Sequence, residues 1–346
     1  MKALAIKYRP KTFDDVVEQD NIKIILQQQL KTGTFKNAYL FTGGAGTGKT
    51  TCARIFANEI NRGQGNPIEL DAASNNGVDN VRDIIQQAQL QSLDSEFKVF
   101  IIDECHMITT AGWNAMLKLI EEPPAKSIFI FCTTNPEKIP KTILSRVQRY
   151  DFKRISQKGI VDRLSYITSV ENGIKPEDIG QETPDVYEYI AKLSDGGMRD
   201  AITLLDKTLS YSTKLTLDNV VKALGTVNYD VMIKLTEAIY YYDAEKSIKI
   251  LDDIHNEGKD LKQFVKDYLV FLIDVVKYGR GCDFKYLTIP RIYAYEKFLD
   301  ELSMEEYKTL DRLLCDWVKL NADIKYSSIP KADIEVVLVK YGDMRR

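Results

Sequence analysis

Hydrophobic residues in the first 155 positions alternate between short apolar runs and longer helical repeats. The short runs are rich in Ile, Phe and Val, and they read "AYLFT", "PIELDAA", "KVFIIDE" and "SIFIFCTT". The segments between them repeat their apolar residues at helical spacing, most clearly in "KTTCARIFANEI". Buried strands that alternate with helices of this size are typical of a parallel sheet covered on both faces. The pattern therefore predicts an α/β fold.

The pattern changes after about residue 155, where the strand-like runs stop. Amphipathic helical segments follow, among them "QKGIVDRLSYITSV" and "MRDAITLLDKTLS". A turn-rich passage near "STKLT" leads into a second helical stretch that includes "KQFVKDYLVFLIDVVKYG". The chain thus divides into a predicted α/β domain at residues 1–155, a small helical domain at 156–212 and a larger one at 213–346. Tyrosines at helical spacing in the last domain are more typical of a core than of a functional aromatic site.

Length and charge narrow the class of protein. A chain of 346 residues is long enough for two or three domains, and its 44% hydrophobic and 28% charged residues are typical of soluble globular proteins. The net charge of −3 gives no global basic field, so any contact with nucleic acid must use local patches or helix N-termini. Basic residues interrupt the N-terminal apolar stretch before a signal-peptide core can form. No apolar run is long enough to span a membrane. We expect a cytoplasmic protein without a membrane partner.

The segment "GGAGTGKT", Gly43–Thr50, fits the pattern GxxxxGK[ST] between a predicted strand and a helix that begins at Lys49. Glycines let the backbone wrap a polyphosphate, which the exposed N–H groups and the helix dipole attract. Lys49 adds a positive charge at the outer phosphates, and Thr50 would place its hydroxyl on Mg²⁺. The predicted nucleotide-binding residues here are Gly43, Gly44, Ala45, Gly46, Thr47, Gly48, Lys49, Thr50 and Thr51.

Two strand ends carry further candidate chemistry. The run "KVFIIDE" ends in adjacent carboxylates, Asp103 and Glu104. Neighbours on a strand point to opposite sides, so Asp103 can face the metal while Glu104 faces a water that attacks the γ-phosphate. Capping of the next helix is the alternative for either residue alone. Where "IFIFCTT" ends, Thr133 and Thr134 could bond that water or the γ-phosphate, or simply cap the strand.

The chain resembles the gamma/tau subunits of the bacterial DNA polymerase III clamp loader, which are AAA+ ATPases. The resemblance rests on segments in family order: "KYRPKTFDDVVEQ", "FTGGAGTGKTT", "ELDAASNNGVDNVRDI", "VFIIDECHMI", "WNAMLKLIEEPP", "CTTNPEKIPKTILSRVQRYDF" and "GGMRDAITLLD". A further segment, "EGKDLKQFVKDYLVFLIDVV", looks like the family's collar domain. The resemblance implies that the three predicted domains are an AAA+ P-loop NTPase domain, a helical lid and an all-α collar through which subunits oligomerise.

The resemblance also implies an adenine pocket. Tyr8, Arg9 and Pro10 of "KYRP" would line it together with Val17. Met198, beside the lid arginine of "GGMRD", would contact the same nucleotide.

Three further residues acquire roles by resemblance. Thr134 would be the sensor-1 residue, and Arg199 would be the sensor-2 residue that reaches from the lid to the γ-phosphate. Arg146, in the polar turn "TILSRVQRYDF", falls on the arginine finger, which in the family enters the site of the neighbouring subunit. A surface or fold-supporting cation is the expectation for Arg149, the second arginine of that turn.

The activity implied by the resemblance is that of an ATPase motor subunit. ATP binding would be used to open a sliding clamp and to grip primer–template DNA, and hydrolysis would then release the closed clamp on the DNA. The implied partners are the other subunits of a pentameric clamp loader, the sliding clamp and the DNA. Helix starts at Ser74–Arg82 and at Thr109 and Thr110 could hold template phosphates, with ordinary N-capping as the alternative.

Two other functions stay open. The chain could be a nucleotide-binding scaffold like the family's delta-prime subunit, although the complete phosphate loop and carboxylate pair disfavour this. It could also be another AAA+ machine, such as a helicase loader or a branch-migration motor, which "LIEEPP" and the collar-like segment disfavour.

The chain departs from the family in three places. The family's four-cysteine zinc module is replaced by "NEINRGQGNP", and the five cysteines include no CxxC pair, so we expect ATP and Mg²⁺ but no zinc. Val147 replaces the cysteine of the family's "SRC", which leaves Arg146 intact. The chain ends after the collar-like segment, so we expect a short form without the tau tail.

Overall fold

The computed structural model describes residues 3–75, 77–90, 94–172, 183–212, 214–224, 229–288 and 293–342. These residues belong to two units, Met1–Pro176 with Ser194–Thr203, and Glu177–Leu193 with Leu204–Arg346. The domain boundaries near residues 155 and 212 stay predictions. No helix within the described ranges is long and apolar enough to cross a bilayer.

The first unit contains a five-stranded sheet. Its strands are β1 Ala38–Thr42, β2 Ile68–Asp71, β3 Lys98–Asp103, β4 Ser127–Thr133 and β5 Gln148–Asp151. They lie in the order β2-β3-β4-β1-β5, and all neighbouring pairs are parallel. Because the strands run in one direction, the carboxyl ends of β1, β3 and β4 meet at one edge of the sheet, where such folds bind ligands. The predicted α/β class is confirmed.

The helices of this unit cover both faces of the sheet. They are α1 Leu4–Lys7, α2 Asp20–Thr32, α3 Lys49–Ile60, α4 Val78–Gln89, α5 Thr110–Glu121, α6 Lys141–Leu144 and α7 Gln157–Asn172. All seven residues of β4 are buried, and they alternate between the two faces. Ile130 packs in one core with Phe56 of α3, whereas Phe131 packs in the other with Trp113 of α5. Burial on both faces explains the continuous apolar run of this strand.

The edge strand β5 was not predicted. Its polar sequence predicts a turn, yet residues 148–151 pair with β1 in parallel register. Only Tyr150 of the four residues is buried. A single buried side chain gives no alternation to detect, and edge strands tolerate polar residues on both sides.

The second unit is helical in its described residues. Its helices are α8 Thr183–Leu193, α10 Leu217–Leu224, α11 Tyr229–Tyr240, α12 Ala244–Asn256, α13 Leu261–Gly279, α14 Tyr293–Glu301, α15 Met304–Asp323 and α16 Pro330–Gly342, and α9 Met198–Tyr211 begins in the first unit and continues into this one. Tyr268 and Trp317 are fully buried in its core. The Trp317 indole N–H donates to the Val265 carbonyl at 2.9 Å, and the Tyr268 hydroxyl lies 2.7 Å from Thr236 Oγ1. The prediction that tyrosines here form core is confirmed for Tyr268.

Candidate active site

The segment Gly43–Thr50 connects β1 to α3, and α3 begins at Lys49 as predicted. Lys49 is 6% exposed, and burial lowers the pKa of its ammonium group. The Lys49 Nζ atom donates to the carbonyl oxygens of Gly43 at 2.9 Å and Gly44 at 2.7 Å. The cation is therefore held inside the loop by weakly charged acceptors, which phosphate oxygens can replace.

The phosphate loop packs closely against the start of α9. The Met198 N–H donates to the Gly46 carbonyl at 3.0 Å. A Cβ atom at Gly46 would lie 3.0 Å from the Gly197 Cα, and one at Gly197 would lie 3.1 Å from the Ala45 carbonyl. Gly46 also has a φ of +69°, which disfavours other residues. Glycine on both sides lets the loop meet "GGMRD" backbone to backbone.

A hydroxyl and a carboxylate lie together at the edge of the sheet. Thr50 Oγ1 donates to Asp103 Oδ2 at 2.8 Å, and the Glu104 N–H donates to Asp103 Oδ1 at 3.0 Å. Hard oxygen ligands of this kind, few in number and beside a phosphate loop, suit Mg²⁺, which keeps waters and substrate phosphates as its other ligands. The predicted pair of metal-binding residues is therefore brought together.

Glu104 differs from the geometry expected of a strand residue. Strand β3 ends at Asp103, and Glu104 adopts the left-handed conformation with φ +46° and ψ +41°. Left-handed backbone is uncommon for a residue with a side chain, and such residues cluster at turns and at functional sites. This turn of the backbone separates the two carboxylates. The alternation of side chains along a strand, from which the separation was predicted, does not cause it.

Of the two threonines at the end of β4, Thr134 is the one that contacts Glu104. Thr134 Oγ1 donates to Glu104 Oε2 at 3.1 Å, and the Thr134 N–H lies 3.4 Å from the same oxygen. Thr133 Oγ1 instead accepts the Asn135 N–H at 3.0 Å and lies 3.1 Å from His106 Nδ1. Sequence reasoning missed His106 and Asn135, although both stand in the quoted segments "VFIIDECHMI" and "CTTNPEKIP".

A cavity of about 140 Å³ adjoins the phosphate loop within the first unit. Its lining includes the predicted residues Tyr8, Arg9, Pro10, Val17, Gly46, Thr47, Gly48, Lys49, Thr50, Thr51, Met198 and Arg199, and six that were not predicted: Ala5, Asp15, Val16, Ile155, Arg163 and Ile202. The remaining loop residues, Gly43 to Ala45, are not among them. Apolar side chains interspersed with a few polar groups are typical of a ligand pocket. The cavity thus brings together the predicted adenine, loop and lid residues.

Arg163 of α7 fixes the N-terminal wall of this cavity. Its Nη2 donates to the Tyr8 carbonyl at 3.0 Å, and its guanidinium lies 5.2 Å from the centroid of the Tyr166 ring. The Tyr8 hydroxyl donates to the Glu171 carboxylate, and burial together with that hydrogen bond raises the pKa of Tyr8 to about 12. Nothing in the local sequence pattern marks Arg163, because its partner lies 155 residues away.

Gln19 joins the phosphate loop to the chain that follows β5. Its Nε2 donates to the carbonyls of Lys153 at 2.6 Å and Thr47 at 3.4 Å, and its Oε1 accepts the Lys153 N–H at 3.2 Å. Gln19 has a left-handed backbone with φ +56° and is 9% exposed. Gln19 is the last residue of the family-like segment "KYRPKTFDDVVEQ". The resemblance of that segment to the family is the sequence feature that could have pointed to Gln19.

The two arginines of "TILSRVQRYDF" have different surroundings. Arg146 follows α6, is 39% exposed and does not line the cavity; its Nε donates to Glu121 Oε1 at 2.5 Å. The Arg146 Nη1 donates to the Thr142 carbonyl at 2.7 Å. Arg149 lies on β5 and its Nε donates to Asp151 Oδ1 at 2.7 Å, which makes it a cation that supports the edge strand.

The two helix starts considered for DNA are built differently. Thr109 caps α5, since its Oγ1 accepts the Gly112 N–H at 3.2 Å. Helix α4 begins after Gly77 without a side-chain cap. In the preceding turn, the Ser74 N–H donates to the Asp71 carbonyl at 3.2 Å. Asn76, within the predicted segment Ser74–Arg82, lies outside the described residues, and contact with DNA stays a prediction at both starts.

In the segment that stands in place of the zinc module, Asn61 bonds the backbone ahead of β3. Its Nδ2 donates to the Phe97 carbonyl and its Oδ1 accepts the Phe97 N–H, both at 2.8 Å. Across the ranges that the structure describes, no group of three or more His, Cys, Asp or Glu side chains could hold a metal ion.

Comparisons with known proteins give homologues along most of the chain. A family model described as "DNA polymerase III, delta subunit" matches residues 66–156. The tau subunit of DNA polymerase III from Bacillus subtilis is 34% identical, over 98% of this chain and 63% of that protein. The gamma/tau subunit from Mycobacterium bovis is also 34% identical, over 79% of this chain and 50% of that protein. The chain therefore spans about half to two thirds of these relatives' length.

Among solved structures, the Holliday junction branch migration motor RuvB of Thermotoga maritima matches with a TM-score of 0.52 and 18% identity. The match covers 88% of this chain and 98% of that one. At this identity the likeness shows that the two chains share a fold and shows nothing about activity.

Proposed function

Because the chain is a homologue of the gamma/tau subunits of bacterial DNA polymerase III, we propose that it is the ATPase motor subunit of a DNA polymerase clamp loader. Its substrate is ATP with Mg²⁺, without zinc. Its partners are other clamp-loader subunits, a sliding clamp and primer–template DNA, and it acts on them in the cytoplasm. The observation that carries the proposal is the chain of contacts from Thr50, the residue after the loop lysine Lys49, through Asp103 to Glu104.

In the proposed reaction, ATP enters the cavity with its base between Tyr8 and Val17 and its phosphates at the loop. Lys49 exchanges its two loop carbonyls for phosphate oxygens, and α3 presents its N-terminus to them. Thr50 and Asp103 would hold Mg²⁺, which would supply positive charge to the outer phosphates. Arg199, at the start of α9, adds a second cation from the lid side of the cavity.

Glu104 accepts the proton of the attacking water. Its carboxylate is 38% exposed, so a water can reach it, and Thr134 holds one of its oxygens. Binding needs the loop and the cavity, whereas hydrolysis also needs this carboxylate aligned with the γ-phosphate. The proposed separation of the two steps is what a motor requires, since binding and hydrolysis then drive different changes in the assembly.

Arg146 acts at the site of a neighbouring subunit. In its own chain the guanidinium does not line the nucleotide cavity and is exposed beside Glu121. An arginine that enters a neighbouring site stabilises charge on the transferring phosphoryl group and is worth about 10³ to 10⁵ in rate. Complete active sites therefore form between subunits, which ties hydrolysis to assembly.

The family-like organisation into a P-loop domain at 1–155, a lid at 156–212 and a collar at 213–346 is part of the proposal. So is the contact of template phosphates with the starts of α4 and α5. Backbone amides at helix starts give affinity without base specificity, which suits a protein that meets every primed template.

A nucleotide-binding scaffold is the second candidate function. A scaffold needs neither a carboxylate aligned by Thr134 nor a second cation at the cavity, so these residues favour a motor. ATP hydrolysis by the assembled protein distinguishes the two candidate functions. We expect the assembled protein to hydrolyse ATP, and primed DNA with a sliding clamp to stimulate turnover, while Lys49→Ala abolishes it. ATP binding without hydrolysis under all these conditions would establish the scaffold.

A further inference from the structure

The side chain of His106 lies between the end of β3 and the end of β4. His106 belongs to a one-turn 3₁₀ helix, Cys105–Met107, directly after the acid pair, and its side chain is 9% exposed. Its Nδ1 is 3.2 Å from Glu104 Oε2, and its Nε2 is 3.3 Å from Asn135 Nδ2. The imidazole thus connects the carboxylate to the segment that follows Thr134.

Asn135 determines which ring nitrogen carries the proton. In this orientation the amide nitrogen of Asn135 lies 3.3 Å from His106 Nε2, an arrangement that suits the tautomer with its hydrogen on Nδ1. Nδ1 is hydrogen-bonded to Thr133 Oγ1 at 3.1 Å. Glu104 Oε2, which can only accept, lies within ion-pair distance of the same nitrogen at 3.2 Å.

Glu104 depends on such contacts for its orientation. It stands in a left-handed turn outside any strand or helix, and its carboxylate is partly exposed. Thr134 donates to Oε2 from its Oγ1 at 3.1 Å and from its N–H at 3.4 Å, and His106 Nδ1 lies 3.2 Å from the same oxygen. With Oε2 held in this way, Oε1 is the oxygen that can accept the proton of a water.

We propose that His106 is a positioning residue that orients Glu104 for hydrolysis, and that Asn135 fixes the imidazole tautomer this requires. The inference rests on the proposed ATPase function and adds a residue that holds the base without touching the nucleotide. It predicts that a substitution of His106 changes kcat without changing the affinity for ATP. Removing the Nδ1–H misaligns the base and lowers kcat, while the phosphate loop and cavity keep their affinity for ATP.

The first test compares substitutions of the two histidines of the chain. His106→Phe keeps a planar ring but has no donor, and we expect kcat to fall about tenfold with the Kd for ATP unchanged. His106→Asn keeps an N–H near the position of Nδ1 and should recover most of that loss. His255→Phe, at the exposed histidine of α12, is the matched control and should behave as wild type. Unchanged kcat in His106→Phe would overturn the inference.

The second test asks whether His106 acts through Glu104. In a Glu104→Gln background, with single-turnover hydrolysis measured at excess protein, His106→Phe should cause no further loss, because its target has already been removed. A further tenfold loss would show that His106 acts elsewhere and would overturn the inference. If His106→Phe does not fold, Asn135→Leu takes its place in the cycle.

The outcomes also separate this inference from the proposed function. Wild-type protein that hydrolyses ATP, with His106→Phe equally active, keeps the ATPase and refutes the positioning role. Wild-type protein that binds ATP but never hydrolyses it, in any assembly, refutes both.

Discussion

The backbone conformation of Glu104 determines where its carboxylate lies in the candidate active site. Its sequence position beside Asp103 was sufficient to identify the acid pair, but its left-handed φ of +46° could not be read from the sequence. The conformation is imposed by the turn into Cys105–Met107, and it directs the carboxylate towards the end of the neighbouring strand β4. Such local strain persists only where surrounding contacts compensate for it, as Thr134 and His106 do here.

Glu104→Gln tests the assigned general base. The amide keeps the size of the side chain but cannot accept the proton of the attacking water. We expect hydrolysis to fall by about 10² or more, while the Kd for ATP stays within about twofold of wild type, because the phosphate loop is untouched. Turnover assays and nucleotide titration measure the two effects separately.

Glu137→Gln is the control for this variant, because Glu137 is exposed and lies just beyond β4. It should have wild-type activity. Wild-type turnover in Glu104→Gln would remove Glu104 from the mechanism.

At the scale of elements, the phosphate loop and the start of α9 form one backbone-to-backbone contact. Gly197→Ala tests it, since the added Cβ would lie 3.1 Å from the Ala45 carbonyl and 3.2 Å from the Ser194 carbonyl. The loop or the helix start must shift to relieve this crowding. We expect ATP affinity to fall about tenfold, as measured by titration with a fluorescent analogue.

Gly77→Ala provides the matched control for the glycine substitution. Gly77 has a φ of −73°, and a Cβ atom there meets nothing closer than 3.9 Å. We expect it to bind ATP as wild type does. Equal losses in the two variants would mean that ordinary destabilisation, not the loop contact, lowers the affinity.

Helices α5 and α6 together present Arg146. Glu121, at the end of α5, accepts a hydrogen bond from the Arg146 guanidinium, whereas the neighbouring Glu122 caps the helix. An exposed ion pair contributes about 0 to 1 kcal/mol. Glu121→Gln should therefore reduce DNA-stimulated hydrolysis in the assembly by no more than about fivefold, through less frequent correct presentation of the finger.

Glu122→Gln should leave stimulated hydrolysis unchanged, which separates the ion pair from the general loss of a negative charge at the end of α5. Turnover in reconstituted assemblies is the measurement for both variants. A loss with Glu121→Gln as large as that with Arg146→Ala would contradict this role, since it would place Glu121 in the reaction itself.

Elements that have a clear local sequence pattern were predictable from sequence. Elements and contacts that depend on residues far away in the chain were not. The phosphate loop, the start of α3 at Lys49 and the end of β3 near Asp103 follow from glycines, apolar runs and charge. Strand β5 has one buried residue and pairs with β1 more than a hundred residues earlier. Gln19 and Arg163 likewise act through partners 134 and 155 residues away, which no local pattern records.

At the scale of the whole molecule, the site within one chain is incomplete under the proposed function. The loop, acid pair, Thr134 and Arg199 belong to the first unit. In the proposal, the cation that completes the transition state is Arg146 of a neighbouring subunit. This division makes the rate of hydrolysis report on assembly. It also means that an isolated chain should bind ATP well and hydrolyse it slowly.

The most direct test of this account mixes two inactive variants in reconstituted assemblies with primed DNA and a sliding clamp. Arg146→Ala keeps its phosphate loop but lacks the finger, and Lys49→Ala lacks the loop but keeps the finger. Each alone should lose stimulated hydrolysis, Arg146→Ala by about 10³ or more. Mixed assemblies should recover hydrolysis at interfaces that pair the intact loop of one variant with the intact finger of the other. No recovery in mixed assemblies, when each variant still assembles, would contradict the claim that Arg146 completes a neighbour's active site.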